Sequence, residues 1–355
     1  SATWSSDGKW ILTASWDQTA KVWALESGKQ LFSFKDYKAS LLSAHWSSDI
    51  QRIVTVSWDQ TARVWDSVSR QEIDTLRGHS DLVYSAIWSP DGQHIVTTSK
   101  DQIAKIWEGG KSGYELFSLQ GHDDWVYSAT CSPDEQRILT ASWDQTAKGW
   151  DALTGQELLT LTGHDGRVGS SMYSPDGKHI VTASGNWGQK GKAKIWNSET
   201  GQELIVLQGH DNGVRSAAYS LDGQRIVTAS HDKTAKVWDA QTGIELMTLK
   251  GHDGSVFSAT YSPNGQRIVT ASEDQTAKVW NVEMGKELFT LNGHNGNVLS
   301  ACWSPDQKRL MTSGQDGIVQ IYTTDIDELL QIAESRVTRQ LTAEEKEKYG
   351  VLDLN

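Results

Sequence analysis

The feature that most constrains this chain is an internal repeat with a period close to 42 residues. The stretch TASWDQTAKVW at 13–23 returns as TVSWDQTARVW at 55–65, TASWDQTAKGW at 140–150, TASHDKTAKVW at 228–238 and TASEDQTAKVW at 270–280. Aromatic residues that end such stretches follow one another at intervals of 42, 42, 43, 46, 42, 42 and 42 residues, namely Trp23, Trp65, Trp107, Trp150, Trp196, Trp238, Trp280 and Tyr322. A period of this size indicates a repeat architecture in which each unit is stabilised by its neighbours.

Each repeat unit contains four short segments that are rich in β-branched and aromatic residues, which is typical of strands. In the third unit these segments are 83–89, 94–99, 103–107 and 114–119. Turn sequences such as Ser-Pro-Asp-Gly-Gln separate the segments, and links this short join only antiparallel neighbours. We therefore predict an all-β fold built from four-stranded antiparallel sheets that pack face to face around an axis.

Glycine–histidine pairs begin the third to the eighth unit and are each followed by a strand ending in Trp or Tyr; they are Gly78-His79, Gly121-His122, Gly163-His164, Gly209-His210, Gly251-His252 and Gly293-His294. Three units also end in the dipeptide Trp-Asp, at 65–66, 150–151 and 238–239. In these features residues 1–324 resemble WD40 repeats. The resemblance implies a β-propeller, whose blades would be the four-stranded sheets.

The repeat units are 1–35, 36–77, 78–120, 121–162, 163–208, 209–250, 251–292 and 293–324, approximately. An eight-bladed ring uses every unit and leaves the last blade without its outer strand, and we favour it. The alternative is a seven-bladed ring that uses 36–324 and borrows 29–34 to complete the final blade. Residues 325–355 depart from the repeat, and the apolar face of 325–337 and the capping box at 342–345 predict a short helical tail.

The resemblance also implies a buried chain of hydrogen bonds in each blade. In WD40 blades it joins the histidine of the glycine–histidine pair, a Ser or Thr on the second strand, the Asp of the following turn and the Trp of the third strand. Four units carry such a set here: His79, Ser99, Asp101 and Trp107; His122, Ser142, Asp144 and Trp150; His210, Ser230, Asp232 and Trp238; and His252, Ser272, Asp274 and Trp280. A Ser-His-Asp catalytic triad needs one exposed, activated serine, so a set repeated from blade to blade is better explained as structural.

Family resemblance further implies where partners bind. The expected surface, here called the top face, is formed by the turns between the second and third strands and by the entries to the first strands. Matching positions are Trp16, Leu42, Trp58, Leu82, Tyr84, Trp125, Tyr127, Trp143, Arg167, Arg215, His231 and Phe257. The first four units supply an aromatic crescent and the later units a polar, partly cationic remainder, a combination typical of protein-binding surfaces. The alternative that duplication merely copied a Trp that shields its turn stays open.

Several functional classes are disfavoured by the composition. The net charge of −12 argues against a nucleic-acid groove. No apolar run approaches the roughly 18 residues that a membrane span requires, and no leader is evident. The histidines lack metal-ligand spacing and no phosphate-binding loop is present, so we predict neither a metal nor another cofactor. These features favour a cytoplasmic protein.

We therefore expect a non-catalytic scaffold or sensor that binds a protein or peptide on its top face. The tail and the near-identical repeats resemble the carboxy-terminal WD40 region of large bacterial signalling proteins, which implies that other domains of a larger parent chain are possible partners. Two alternatives remain. One is an enzyme with an active site at the axial mouth, and the other is a purely architectural or self-associating module.

Overall fold

Alternating apolar residues and short polar turns produce 31 strands in the computed structural model, which describes residues 1–35, 37–110 and 113–325. The first four sheets, blades 1 to 4, comprise β1 Ala2–Trp4, β2 Trp10–Ala14, β3 Ala20–Ala24 and β4 Gln30–Phe34; β5 Leu41–Trp46, β6 Arg52–Ser57, β7 Ala62–Asp66 and β8 Glu72–Leu76; β9 Val83–Trp88, β10 His94–Ser99, β11 Ala104–Glu108 and β12 Glu115–Leu119; β13 Val126–Cys131, β14 Arg137–Ser142, β15 Ala147–Asp151 and β16 Glu157–Leu161.

Blades 5 to 8 continue the same order with β17 Val168–Tyr173, β18 His179–Ser184, β19 Lys192–Asn197 and β20 Glu203–Leu207; β21 Val214–Tyr219, β22 Arg225–Ser230, β23 Thr234–Asp239 and β24 Glu245–Lys250; β25 Val256–Tyr261, β26 Arg267–Ser272, β27 Ala277–Asn281 and β28 Glu287–Leu291; and β29 Val298–Trp303, β30 Arg309–Gly314 and β31 Val319–Thr323. Blade 8 has three strands in the described part of the chain, and every other blade has four.

Strands that are consecutive in the sequence are neighbours in each sheet, and every pairing is antiparallel, as the short turns require. This confirms the predicted all-β propeller with eight blades. The seven-bladed alternative is wrong, because β4 pairs with β3 of its own blade, where Phe34 lies opposite Ala20, and is not available to complete another sheet.

The first strands of successive blades contact one another and form the inside of the ring, and β30 lies against β1 where the ring closes. Most of the core lies between adjacent blades. Trp196 of blade 5, for example, packs in one buried cluster with Leu139 and Ala141 of blade 4. Since blades 2 to 7 bury the Trp of their third strand on the preceding blade, the ring is stabilised by contacts that no single sheet makes alone.

A β-bulge recurs at the start of the first strand from blade 2 onward. In blade 4, Val126 pairs with Ser142 and Ser128 pairs with Ala141, so that Tyr127 has no partner residue on the neighbouring strand. A bulge bends the strand and redirects the side chain of the extra residue. In blades 2 to 8 this unpaired residue is the second residue of the first strand.

The helical prediction for 325–355 concerns residues outside the described ones, apart from Asp325. The described segments contain no helix that could cross a membrane.

Candidate functional site

The turn between the second and third strands is held by its aspartate. In blade 4, Asp144 Oδ1 accepts hydrogen bonds from the backbone N–H and the hydroxyl of Thr146, at 2.8 and 2.7 Å. Gln145, between them, has a φ of 72°. A short carboxylate side chain that accepts a bond from two residues further on is a common way to stabilise such a tight turn. Each turn that carries this aspartate is therefore held in a defined conformation at the top face.

Behind this turn lies a buried hydrogen-bonded chain. Asp144 Oδ2 is 2.7 Å from His122 Nδ1, and His122 Nε2 is 2.8 Å from the Thr140 hydroxyl, which accepts the Trp150 indole N–H at 2.8 Å. Because the indole can only donate, the Thr140 hydroxyl proton is available to His122 Nε2, and Nδ1–H then donates to the carboxylate. The proton positions follow from this network, which satisfies each polar group in a seam that excludes water.

Blades 3, 6 and 7 repeat the arrangement almost unchanged. The His–Asp distances are 2.8, 2.7 and 2.7 Å for His79–Asp101, His210–Asp232 and His252–Asp274. The indole N–H groups of Trp107, Trp238 and Trp280 donate to Thr97, Thr228 and Thr270 at 2.8, 2.8 and 2.9 Å. A set of side chains copied so regularly is part of the scaffold.

The bridging hydroxyl differs from the one expected from the sequence. It belongs to the threonine two residues before the predicted serine. Ser142 instead donates to the Asp124 carbonyl at 3.0 Å and accepts the Asp144 backbone N–H at 3.1 Å. Ser99, Ser230 and Ser272 accept the N–H of their turn aspartates in the same way. A comparison of the repeat units could have indicated the threonine. It occurs in all eight units, from Thr13 to Thr312, whereas the last unit has Gly314 in place of the serine.

The same hydrogen bonds also determine whether the turn aspartates are ionised. Burial acts to raise the pKa of Asp144, but the hydrogen bond from His122 and that from Thr146 outweigh it, and the pKa lies far below its ordinary value. The balance has the same sign at Asp232 and Asp274, where burial acts to raise the pKa but the bond from the histidine, the histidine's charge and the bond from the following threonine together lower it. These carboxylates are therefore ionised at neutral pH.

Blades 2 and 5 each replace one partner of the network by another hydroxyl. In blade 2, the Tyr37 hydroxyl takes the place of the imidazole and lies 2.6 Å from the Thr55 hydroxyl. In blade 5, where the turn aspartate is missing, the hydroxyl of Ser184 lies 2.5 Å from His164 Nδ1. Burial, followed by the positive charge of Lys194, lowers the pKa of His164 to about 3, so this imidazole is neutral.

One backbone hydrogen bond places the top-face residues in pairs. The N–H of the residue before the turn aspartate donates to the carbonyl of the residue that precedes the first strand, as in Trp143 to Trp125 at 3.0 Å and Lys100 to Leu82 at 2.9 Å. The bulge residue, such as Tyr127, follows one position after that strand begins. In blades 2 to 8 this bond thus brings the residue before the turn beside the two residues that flank the start of the first strand.

The side chains of blades 3 to 5 form one continuous stack, which we call the aromatic ladder. Its members are Tyr84, Lys100, Trp125, Tyr127, Trp143 and Arg167. The rings of Trp125 and Trp143 are stacked at 4.2 Å between centroids, and Tyr84 lies 5.6 Å from both Trp125 and Tyr127. Cations complete the ladder, with Lys100 Nζ 4.9 Å from the Trp125 ring and the Arg167 guanidinium 3.9 Å from the Trp143 ring.

The other predicted top-face residues lie outside the ladder. Trp16 and Trp58, both exposed, face each other at 6.3 Å in blades 1 and 2. His231 lies between Trp187 and Phe257, at 4.7 and 6.3 Å. Burial, followed by the positive charge of Arg215, lowers the pKa of His231.

Two leucines contribute differently from the rest. Leu42 packs against the buried cluster that contains Val54 and Val56. Leu82 is half-buried, and its carbonyl accepts the Lys100 N–H. Trp187, from the longer turn of blade 5, was not among the predicted binding residues, although an exposed Trp in an inserted loop was the signal that could have indicated it.

Within 1–35, 37–110 and 113–325, no group of three or more His, Cys, Asp or Glu side chains is placed to hold a metal ion.

Comparison with known proteins gives one family. The family described as "WD domain, G-beta repeat" matches residues 1–24, 28–66, 70–108, 113–151, 155–197, 201–239, 243–281 and 285–323. No curated protein matches the chain. Among solved structures, that of the computationally designed Ika8 protein is similar, with 25% sequence identity, a TM-score of 0.79, and coverage of 89% of this chain and 93% of that one. The repeated blades, their buried networks and the family match lead to one conclusion: the chain belongs to the WD40-repeat family of β-propellers.

Proposed function

We propose that this chain is a non-catalytic module that binds a segment of a partner protein or peptide on the aromatic ladder. WD40 propellers are a fold commonly used for protein–protein interaction. The observation that carries the proposal is the continuous stack from Lys100 through Trp125 and Trp143 to Arg167. Its rings are half-buried and its guanidinium is exposed, so the stack offers a firm surface to a ligand.

The chemistry of the ladder indicates what kind of segment it would bind. Trp, Tyr and Arg are the residues that contribute most binding energy at protein interfaces. Trp and Tyr bury a large area with little loss of conformational freedom, and Arg adds several hydrogen-bond donors. The Arg167 guanidinium lies over the Trp143 ring at 3.9 Å from its centroid and is exposed, and a guanidinium can donate two parallel N–H bonds to a carboxylate. We therefore expect a partner segment that combines apolar or aromatic side chains with an acidic residue.

On the sequence resemblance alone, we also propose that the module acts in the cytoplasm as part of a larger bacterial signalling protein. Other domains of that protein are then candidate partners. The Trp16–Trp58 pair and the His231 group lie on the same face and would extend the contact around the ring.

The test compares two baits with the unmodified chain in affinity capture from lysate, followed by binding measurements on the purified partner. The first bait carries alanine at Trp58, Tyr84, Trp125 and Trp143. The matched control carries alanine at Val68, Leu153, Leu221 and Met284, which are exposed apolar residues in the turns on the opposite face.

We expect the control to retain the partner and the first bait, which removes three rings of the ladder and the neighbouring Trp58, to weaken its binding by about 100-fold or more, since several interface hot spots are removed at once. Circular dichroism of both baits verifies that the blades remain folded. Equal retention of the same protein by the two folded baits would exclude the ladder as the binding surface.

A further inference from the structure

The turn between the second and third strands of blade 5, here called the inserted turn, is longer than its equivalents. It spans residues 185–191, whereas the corresponding turn of blade 4 spans 143–146. It also lacks the aspartate that holds the other turns, such as Asp144 in blade 4. Other contacts must therefore fix its conformation.

Backbone contacts dock the inserted turn on blade 6. The Gly191 N–H donates to the Asn212 carbonyl at 3.1 Å, and the Gly188 N–H donates to Asn212 Oδ1 at 2.9 Å. A Cβ atom on Gly213 would lie 2.9 Å from the Asn186 carbonyl oxygen, which is too close for a side chain. The two backbones can approach in this way because residue 213 is a glycine.

The docked turn brings an aromatic ring to the top face of blade 6. Gly213 precedes the first strand of its blade, as Trp125 does in blade 4, but contributes no side chain. The His231 N–H donates to the Gly213 carbonyl at 3.0 Å, which places His231 beside this position. The ring of Trp187, from the inserted turn, lies 4.7 Å from the His231 ring and is 66% exposed. Trp187 therefore supplies an aromatic side chain that the repeat itself does not provide here.

Two further side chains complete the His231 group, which comprises Trp187, Arg215, His231 and Phe257. Arg215 and Phe257 are the bulge residues of β21 and β25, with no partner residue on the neighbouring strand. The Phe257 ring lies 6.3 Å from that of His231. His231 Nδ1 is buried and has no hydrogen-bond partner among the described residues. Such an atom is uncommon in folded proteins, and a polar group of a ligand would satisfy it.

The charges of the top face indicate what this group would bind. Lysines of blades 3 and 5 have carboxylate partners, in the pairs Lys100–Asp81, Lys190–Asp211 and Lys192–Asp165, at 3.7, 3.0 and 2.7 Å. Glu273 of blade 7 accepts bonds from the backbone N–H and the hydroxyl of Ser255, at 3.2 and 2.7 Å. Arg215 is exposed, and no carboxylate in the described part of the chain forms a salt bridge with it. An unpaired guanidinium beside aromatic rings favours a ligand that has a carboxylate next to an apolar group.

The inserted turn also joins the His231 group to the aromatic ladder. Its first residue, Gly185, donates its N–H at 3.1 Å to the carbonyl of Arg167, which is the last member of the ladder. Gly169, the bulge residue of β17, has no side chain, and a Cβ atom on it would lie 3.9 Å from the Arg215 carbonyl oxygen. An extended segment that leaves the ladder at Arg167 can therefore continue to Arg215 across a glycine.

We propose that the His231 group is a second subsite for the partner segment and binds an acidic side chain that is next to an apolar one. The carboxylate pairs with Arg215, and the apolar side chain packs against Trp187 and Phe257. This inference rests on the proposed function, because it assigns the group to the same partner as the ladder. It adds that the partner carries two acidic positions, one for Arg167 and one for Arg215.

The experiment measures the fluorescence anisotropy of two labelled synthetic peptides in the presence of the full chain. One peptide repeats the sequence Phe-Glu-Gly, and the matched peptide has Gln in place of Glu. We expect the chain to bind the glutamate peptide about tenfold more tightly or better, because hydrogen bonds to a charged group are stronger than those to a neutral amide.

Variants of the chain separate the two parts of the subsite. Arg215→Gln should weaken binding of the glutamate peptide about tenfold and change that of the glutamine peptide by less than about twofold. Trp187→Ala should weaken both about tenfold, since it removes apolar contact area, and Gly213→Ala should act in the same way by displacing the inserted turn. The matched controls Arg70→Gln and Leu221→Ala change exposed residues on the opposite face and should alter binding by less than about twofold.

Circular dichroism verifies that each variant is folded. The proposal is overturned if neither peptide binds the folded chain, if both bind equally, or if Arg215→Gln and Trp187→Ala bind like the unmodified chain. In the last case, loss of binding on alanine substitution of Tyr84, Trp125 and Trp143 would confine the site to the ladder and leave the proposed function intact. Loss of binding in Arg215→Gln and Trp187→Ala alone would support the His231 group and count against the ladder.

Discussion

Blades 1 and 4 carry nearly the same eleven residues at the turn between their second and third strands, and yet these residues have different surroundings. Residues 13–23 and 140–150 differ only in Val22 and Gly149. Trp150 is 1% exposed and the Asp144 side chain 8% exposed. Trp23 is half-buried, and the Asp17 side chain is 51% exposed.

The difference comes from the contacts that residues outside the turn make with it. In blade 4, His122 bonds Asp144 and Thr140, and the preceding outer strand covers the blade edge. In blade 1, Asp17 Oδ2 is instead 3.3 Å from Lys21 Nζ at the protein surface. The same local sequence therefore forms the same turn, but the imidazole and the neighbouring strand decide whether its polar groups are buried.

The largest expected effect is the removal of the indole. Trp150→Ala should lower the free energy of unfolding by about 3–5 kcal/mol, because it leaves a large cavity in a closed seam. Trp23→Ala should lower it by about 1–2 kcal/mol, since part of that ring already contacts solvent. Urea unfolding followed by far-UV circular dichroism measures both. Equal losses would show that the two blades are equally closed in solution.

Removal of the turn carboxylate should have the next largest effect. Asp144→Ala leaves His122 Nδ1 and the Asp123 N–H without their acceptor and should lower the free energy of unfolding by about 2–4 kcal/mol. Asp17→Ala should lower it by about 1 kcal/mol, the value of the bonds within the turn to Thr19. Both variants lose those turn bonds, so the difference in urea midpoint between them measures the imidazole contact. A difference close to zero would contradict the assigned network.

The smallest expected effect is on the pH dependence of stability. Although burial opposes it, the bonds from His122 and Thr146 lower the pKa of Asp144 below its unfolded value. A group with a lowered folded pKa stabilises the protein above its unfolded pKa of about 4, and this contribution is lost as the pH falls toward the folded value. The melting temperature of the unmodified chain should therefore fall more steeply below about pH 5 than that of Asp144→Asn. Parallel curves would assign the acid sensitivity to other carboxylates.

The top face shows which part of the site could be predicted from the sequence. The resemblance to WD40 repeats predicts that Trp125, Tyr127 and Trp143 share one face, and the bulge at Tyr127 and the backbone bond between Trp143 and Trp125 explain why such positions meet. The stacking of Arg167 on Trp143 could not be predicted, because it joins neighbouring blades and depends on the angle between their sheets. The role of Thr140 in place of Ser142 was missed for a related reason: both lie on the same face of a strand, and only the approach of His122 distinguishes them.

The sequence by itself determined the repeat, the strands, the turns and the family, because alternation of apolar residues and turn chemistry act within a few residues of one another. Only the tertiary structure decided that eight blades close the ring, that β4 stays in its own sheet, and that the turn of blade 1 is more exposed than its copy in blade 4. Burial and stacking are contacts between blades, and near-identical repeats carry no local information about which neighbour each of them will meet.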